Sequence, residues 1–201
     1  MRSAAEALDR LCDPAAKVSA HYCVDEDGTI YRLVDESRRA WHAGVAAWAG
    51  ASDINARSIG IEIVNPGHEF GYRAFPAPQI LAVIALCRAV LSRHPIPAAR
   101  VLGHSDVAPL RKDDPGELFP WDRLAEAGIG LWPKDATPAA PDPGQAMHDL
   151  AAFGYGYLEQ DFEAVVRAFQ RHFRPQAVTG RLDAETMGRL KALLAPRIEA
   201  D

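Results

Sequence analysis

Two periods of apolar spacing alternate along this chain, and each change of period marks an element. Val18, Ala20, Tyr22 and Val24 fall on one face of a first strand, with Ser19, His21 and Cys23 on the other. Thr29 to Val34 is a second β-rich run, and Asp25-Glu26-Asp27-Gly28 between the two predicts a hairpin. Ser58 to Asn65 is the clearest strand, with Ile59, Ile61 and Ile63 on one side and Gly60, Glu62 and Val64 on the other. Arg100-Val101-Leu102-Gly103 reads as a short buried strand that His104 closes, and Pro109, Pro115 and Gly116 hold the following residues out of regular structure. Helical spacing begins at Ser3, an N-cap whose partner Glu6 completes a capping box; Leu8 and Leu11 share a face before Asp13-Pro14 stops the helix. Pro78 to Arg93 carries Ile80, Ile84, Cys87 and Leu91 on one stripe with Val83 and Val90 beside it, a helix suited to cover a sheet. Strands alternating with helices predict an α/β fold with a mixed β-sheet flanked by helices.

Composition changes near the end of the chain. From Trp132 to Gly144, four prolines in thirteen residues predict a semi-rigid linker. It divides the chain into a larger domain, residues 1–131, the linker at 132–144 and a small helical domain at 145–201. In the last, Phe162, Val165, Val166 and Phe169 line one helix, Gly180 centres a turn, and Asp183-x-x-Thr186 opens a helix through Met187, Leu190 and Leu194. A length of 201 residues with 48% hydrophobic content allows one medium domain and a small one. A net charge of -5 without a basic run argues against nucleic acid or an anionic membrane surface as partner. No apolar run approaches the roughly eighteen residues of a transmembrane span. Cys12, Cys23 and Cys87 sit among apolar residues without CxxC spacing and read as buried free thiols, so no disulfide framework follows.

The chemistry gathers in Gly103 to Gly116, where His104, Lys112 and Asp114 bring an imidazole, an ammonium and a carboxylate into one loop. Imidazole nitrogen and carboxylate oxygen suit zinc, whose catalytic sites take three protein ligands and leave a fourth position open; this stretch supplies two. A surface hydrogen-bonding pair is the alternative. Glu62 stands alone on its apolar strand, and either faces solvent at an edge or points into a cleft, where Gly60 leaves room for a ligand. The loop from Trp41-His42-Ala43-Gly44 to Asn55 is too apolar for a solvated linker. Trp48 could stack on sugar or peptide there; in the alternative, Trp41 is core and His42 its hydrogen-bonded neighbour.

The stretch GHSDVAPLRKDDPG, followed by Leu118-Phe119-Pro120-Trp121, closely resembles the C-terminal zinc signature of the type 2 N-acetylmuramoyl-L-alanine amidases, the family related to peptidoglycan recognition proteins and phage amidase lysozymes. The resemblance implies that His104 and Asp114 are zinc ligands and that Lys112 stabilises the transition state. SIGIEI resembles the segment whose glutamate, here Glu62, is general base and acid. VSAHY and WHAG resemble segments beside the site, which makes His21 and His42 candidate substrate-binding residues. AFQRHFRP and VTGRLDAETMGRLKALL resemble the three-helix peptidoglycan-binding domain of cell-wall hydrolases. Together these imply a monomeric Zn2+ hydrolase that cuts the amide between N-acetylmuramic acid and L-alanine in peptidoglycan or muropeptides. Its place would be the cell envelope or periplasm, with the cytoplasm as alternative. A non-catalytic muropeptide-binding protein, or a zinc peptidase, are the rival readings.

One departure from the family pattern bears on these implications. The family's first zinc ligand is a histidine on a strand preceding the helix that here starts at Ser3, so the resemblance covers an amidase fold with its first strand absent. His21 is the candidate substitute. In-frame codons upstream are expected to encode a short apolar strand ending in histidine, which the upstream DNA tests; the lack of a basic start and apolar h-region is then uninformative about location.

Overall fold

A computed structural model describes residues 2–195. Ser3 caps α1 (Ala4–Cys12) by accepting the Glu6 N–H at 3.3 Å. The reciprocal half of the capping box is redirected, because the Glu6 carboxylate accepts the Arg2 N–H at 2.8 Å. The Asp25–Gly28 turn joins β1 (Tyr22–Val24) to β2 (Ile30–Arg32) as an antiparallel hairpin, Tyr22 opposite Arg32. β3 (Ile61–Ile63) pairs with β1 in parallel, which gives a mixed sheet in the order β2-β1-β3.

Register then decides what each face carries. Cys23 lies opposite Glu62, so these two and His21 share one face, while Tyr22, Val24, Ile61 and Ile63 share the other. The second face packs under α2 (Ala77–Arg93) through Ile80, Val83, Leu86 and Val90. The first is covered in part by α1, whose Ala7 packs with Cys23 and Val64. A slip of one residue between β1 and β3 would turn Glu62 into the α2 core, so register is fixed by burial on both sides. Gln79, fully buried, donates its amide to Val24 O at 3.1 Å and to Val64 O at 2.8 Å, closing the ends of both parallel strands.

The stretch Arg100–Gly103 is not a strand. A 3-10 turn over Ala98–Arg100 leads into extended residues, and His104 opens α3 (His104–Val107) instead of closing a ladder. The reason is local: the Gly103 N–H, which a neighbouring strand would need, is taken at 2.7 Å by the Asp106 carboxylate. After α4 (Trp121–Glu126) the chain forms α5 (Pro143–Phe153), α6 (Phe162–Phe173) and α7 (Ala184–Leu194). Asp142, Asp161 and Asp183 cap the last three by accepting the N–H groups of Gln145, Ala164 and Thr186. The apolar face of α7 is turned by one position from the sequence reading, with Leu193 buried and Leu194 37% exposed.

The three C-terminal helices do not keep their core to themselves. Val165, Val166, Phe169, Phe173, Met187 and Leu190 form one cluster with Ala43, Ala46, Trp48, Ile54 and Val107. Trp48 is 6% exposed and meets Tyr155 edge to face at 4.8 Å, so it belongs to this contact and is no stacking surface for a ligand. Gly154 makes the approach possible: with φ +135, a Cβ there would lie 2.6 Å from the Trp48 ring. The proline-rich segment runs along α7, with Ala139 N–H donating to Ala184 O at 2.8 Å and the Thr137 carbonyl seated against Gly188. Trp41, the other candidate for the core, is 52% exposed under the Arg39 guanidinium. Cys12 is exposed, contrary to the sequence reading. Cys23 is buried, and burial together with the charge of Glu62 pushes its thiol up to about 12; burial pushes Cys87 to about 11. Neither is a nucleophile at neutral pH.

Glu36 ties the hairpin to the end of α2. It accepts the Tyr22 hydroxyl at 2.6 Å, Arg93 at 2.6 and 3.0 Å, and His94 at 2.8 Å. The Arg93 hydrogen bonds, followed by those of Tyr22 and His94, outweigh burial and hold its carboxyl far below the ordinary carboxylate range. A folded-state pKa below the unfolded one means a contribution present above the unfolded value near 4.3 and lost as pH falls through the folded value. Glu36→Ala should therefore lower stability by about 2 kcal/mol at pH 7, with a deficit that shrinks steadily as the pH is taken below about 4, read from urea unfolding midpoints. A deficit constant with pH would refute this account.

Candidate functional site

His104 and Asp114 meet as the sequence suggests, through two loops locked together. His104 Nδ1 lies 3.0 Å from Asp114 Oδ2. The backbone secures the approach, since the Ser105 N–H donates to Asp114 O at 2.9 Å. His104 Nε2 stands 3.1 Å from Ala43 O, so the other ring nitrogen is engaged by a carbonyl and Nδ1 is the one that faces Asp114. The return of the chain after Asp114 is fixed by Tyr72, which donates its hydroxyl to Pro115 O at 2.8 Å and accepts the Leu118 N–H at 2.8 Å.

Glu62 comes to the same place from the sheet. Burial raises its pKa, and the charge of Asp114 adds to the rise, against smaller opposing effects of His104 and Lys112. Asp114 is lowered: burial acts to raise it, but the His104 hydrogen bond and the charges of His104 and Lys112 prevail. Two carboxyls in one site are thus pushed apart, one toward holding a proton and one toward staying ionised, a division that suits acid–base work by the first and cation binding by the second. Among the described residues the Lys112 ammonium makes no hydrogen bond or ion pair, and its charge acts on both Glu62 and Asp114.

Two supporting residues escaped the sequence reading. Arg111 donates Nε to Val45 O at 2.9 Å and Nη2 to Ala43 O, placing a guanidinium 3.5 Å from His104 Nε2. Asn55, buried, accepts the N–H groups of His42 and Ala43 at 2.9 and 2.8 Å and so fixes the carbonyl that orients His104. Neither belongs to an apolar period, and each serves backbone groups distant in sequence.

The two candidate substrate histidines fare differently. His21 is 1% exposed, with Nε2 against Arg38 O at 3.0 Å and Nδ1 accepting the Gly60 N–H at 2.9 Å. Both nitrogens serve the backbone, so it pins β3 to the hairpin and is free neither for substrate nor as a substitute metal ligand. His42 is half-buried beside it, ring centroids 5.6 Å apart, with Ser58 Oγ at 3.5 Å from Nε2. Its ring lies over Gly60, where any Cβ would overlap it.

Residues 1–117 match the N-acetylmuramoyl-L-alanine amidase family, a span that holds Glu62, His104, Lys112 and Asp114. The chain belongs to that family. Residues 140–190 match a putative peptidoglycan binding domain. The N-acetylmuramoyl-L-alanine amidase AmiD of Escherichia coli is 40% identical over 89% of this chain and 74% of its own. The E. coli AmiD structure in complex with the substrate anhydro-N-acetylmuramic acid-L-Ala-D-gamma-Glu-L-Lys superposes with a TM-score of 0.85, at 38% identity over 94% of this chain and 83% of that one. AmpDh3 of Pseudomonas aeruginosa, in complex with anhydromuramic pentapeptide, gives 0.87 at 35% identity over 94% and 86%. This amidase therefore has the fold of enzymes solved with muropeptides bound, over nearly its whole length.

Burial, and next the neighbouring His21, bring the His42 pKa down to about 4. In this amidase the ring should stay neutral through the physiological range, and an NMR titration of the histidine ring resonances should place its midpoint near 4. A midpoint at the ordinary value of about 6.5 would show that the ring is open to water.

Proposed function

We propose that this amidase is zinc-dependent and hydrolyses the amide between the lactyl group of N-acetylmuramic acid and L-alanine in peptidoglycan or muropeptides. The observation that carries the reading is the convergence of His104 Nδ1 and Asp114 Oδ2, 3.0 Å apart, on the sheet face where Glu62 is held with a raised pKa. The donor chemistry fits zinc: one imidazole oriented through its second nitrogen by a backbone carbonyl, and one ionised carboxylate. His104 and Asp114 would be two of the three protein ligands; among the described residues no third His, Cys, Asp or Glu stands with them. When bound, such an ion polarises the scissile carbonyl and lowers the pKa of a water to near neutrality.

The remaining steps fall to the chain itself. Glu62 takes the proton of the attacking water and passes it to the nitrogen of the departing alanine, a task for which a raised pKa is suited. Lys112 presents its ammonium where negative charge grows on the carbonyl oxygen. Ala43, held by Asn55 and Arg111, keeps the His104 ring in place while the charge moves. The C-terminal helices, matching a peptidoglycan-binding domain, keep a monomeric enzyme on the wall, which accords with an envelope location.

A second reading, a protein that grips muropeptide without cutting it, is favoured by the count of two ligands among the described residues. Product release from a soluble muropeptide separates the two. Glu62→Gln and Lys112→Ala should each slow release on the order of a hundredfold or more. A zinc chelator should abolish it and added Zn2+ restore it. Equal background release by the parent and by Glu62→Gln would leave the binding reading.

A further inference from the structure

The loop that carries the proposed ligands is held from outside the catalytic region, at two points, by consecutive residues of α6. Asp106, two residues after His104, is fully buried; its Oδ2 accepts the Gly103 N–H and His172 Nδ1–H, each at 2.7 Å, and its Oδ1 accepts the Tyr155 hydroxyl at 2.6 Å. His172 is clamped between Trp121 and Phe173, both stacked at 3.8 Å. Arg171, 12% exposed, places Nη2 2.6 Å from Oδ1 of Asp113, the neighbour of Asp114. One rigid turn of helix thus fixes both ends of the 104–114 loop, and with them the spacing of the imidazole and the carboxylate.

We propose that Arg171 and His172 are positioning residues of the active site, so that the wall-binding unit is also a structural part of the catalytic centre. This rests on the reading of His104 and Asp114 as the metal-holding pair. The interactions lie where an anchoring domain alone would not need them: a buried carboxylate three residues past a glycine turn, matched by a histidine and a tyrosine from the other unit, and a nearly buried guanidinium aimed at the residue beside Asp114.

The test uses the full chain and a soluble muropeptide, so that adhesion to the wall plays no part. Arg171→Met and His172→Phe should lower kcat about tenfold or more while KM stays within about twofold, because a small displacement of catalytic groups acts on the chemical step. The His104 ring resonances should move in the same variants. His172→Gln, which can still donate to Asp106, and the charge exchange of Arg171→Asp with Asp113→Arg should recover most of the loss. Arg167→Gln, whose partner Glu163 lies on the same helix, should behave as the parent. Should His172→Phe fail to fold, Arg171→Met and the exchange decide, since Asp113 is 59% exposed and its pair contributes little to folding. Unchanged kcat, or lowered kcat with unmoved His104 resonances, would overturn the proposal. If the parent releases no product, the amidase reading falls, and the brace is judged by the His104 resonances alone: moved they support it, unmoved they end it.

Discussion

A carboxylate without access to water must have its charge met by protein groups, and the cost of leaving one unmatched is several kcal/mol. Asp106 is such a group, and the three donors that meet it come from three parts of the chain: its own turn, the loop after α5 and the last turn of α6. Much of the architecture follows from that requirement. The Gly103 amide is withdrawn from any sheet, His104 is set at the start of a helical turn, and α6 is drawn against the loop closely enough for Arg171 to reach Asp113. Val107, the next residue, and Tyr155, which donates to Asp106, belong to the apolar cluster that unites the C-terminal helices with Trp48 and Ile54, and Asp106 is fully buried beside them.

Sequence spacing was a good guide wherever one element answers to one period. The hairpin at Asp25–Gly28, the caps at Ser3 and Asp183, and the apolar stripe of α2 are all decided by neighbours within a few residues, and the structure has them. It misled where a side chain competes with the backbone: nothing in Arg100–Gly103 announces that Asp106 will claim the glycine amide. Trp48 and His21 illustrate a second limit. A tryptophan in a small-residue loop and a histidine beside a site both suggest ligand contact, yet each is committed to protein partners that lie far away in the chain. Chemistry was legible in residue type; the use made of it depended on distant packing.

The candidate site combines two kinds of support. Glu62 stands on a strand whose register is enforced by burial on both faces, while His104 opens the single turn of α3 and Lys112 and Asp114 stand on irregular chain, none of them with a ladder to stiffen it. Backbone and side-chain bonds supply the stiffness instead, from Ser105 to Asp114, from Tyr72 to Pro115 and Leu118, and from Arg111 to the 43–45 loop. Glu62 is thereby placed by the most regular part of the fold, and His104, Lys112 and Asp114 by a mesh of individual contacts.

The shared apolar cluster also bears on how the protein comes into being. Ala43, Trp48, Ile54 and Val107 leave the ribosome well before Phe169, Phe173 and Leu190, their partners in the same core. During synthesis the early half carries an unclosed apolar surface and an Asp106 that lacks two of its three donors until the last helices emerge. Contacts so far apart in sequence slow folding. The final helices to be made thus close a core, and meet a buried carboxylate, that were made long before them.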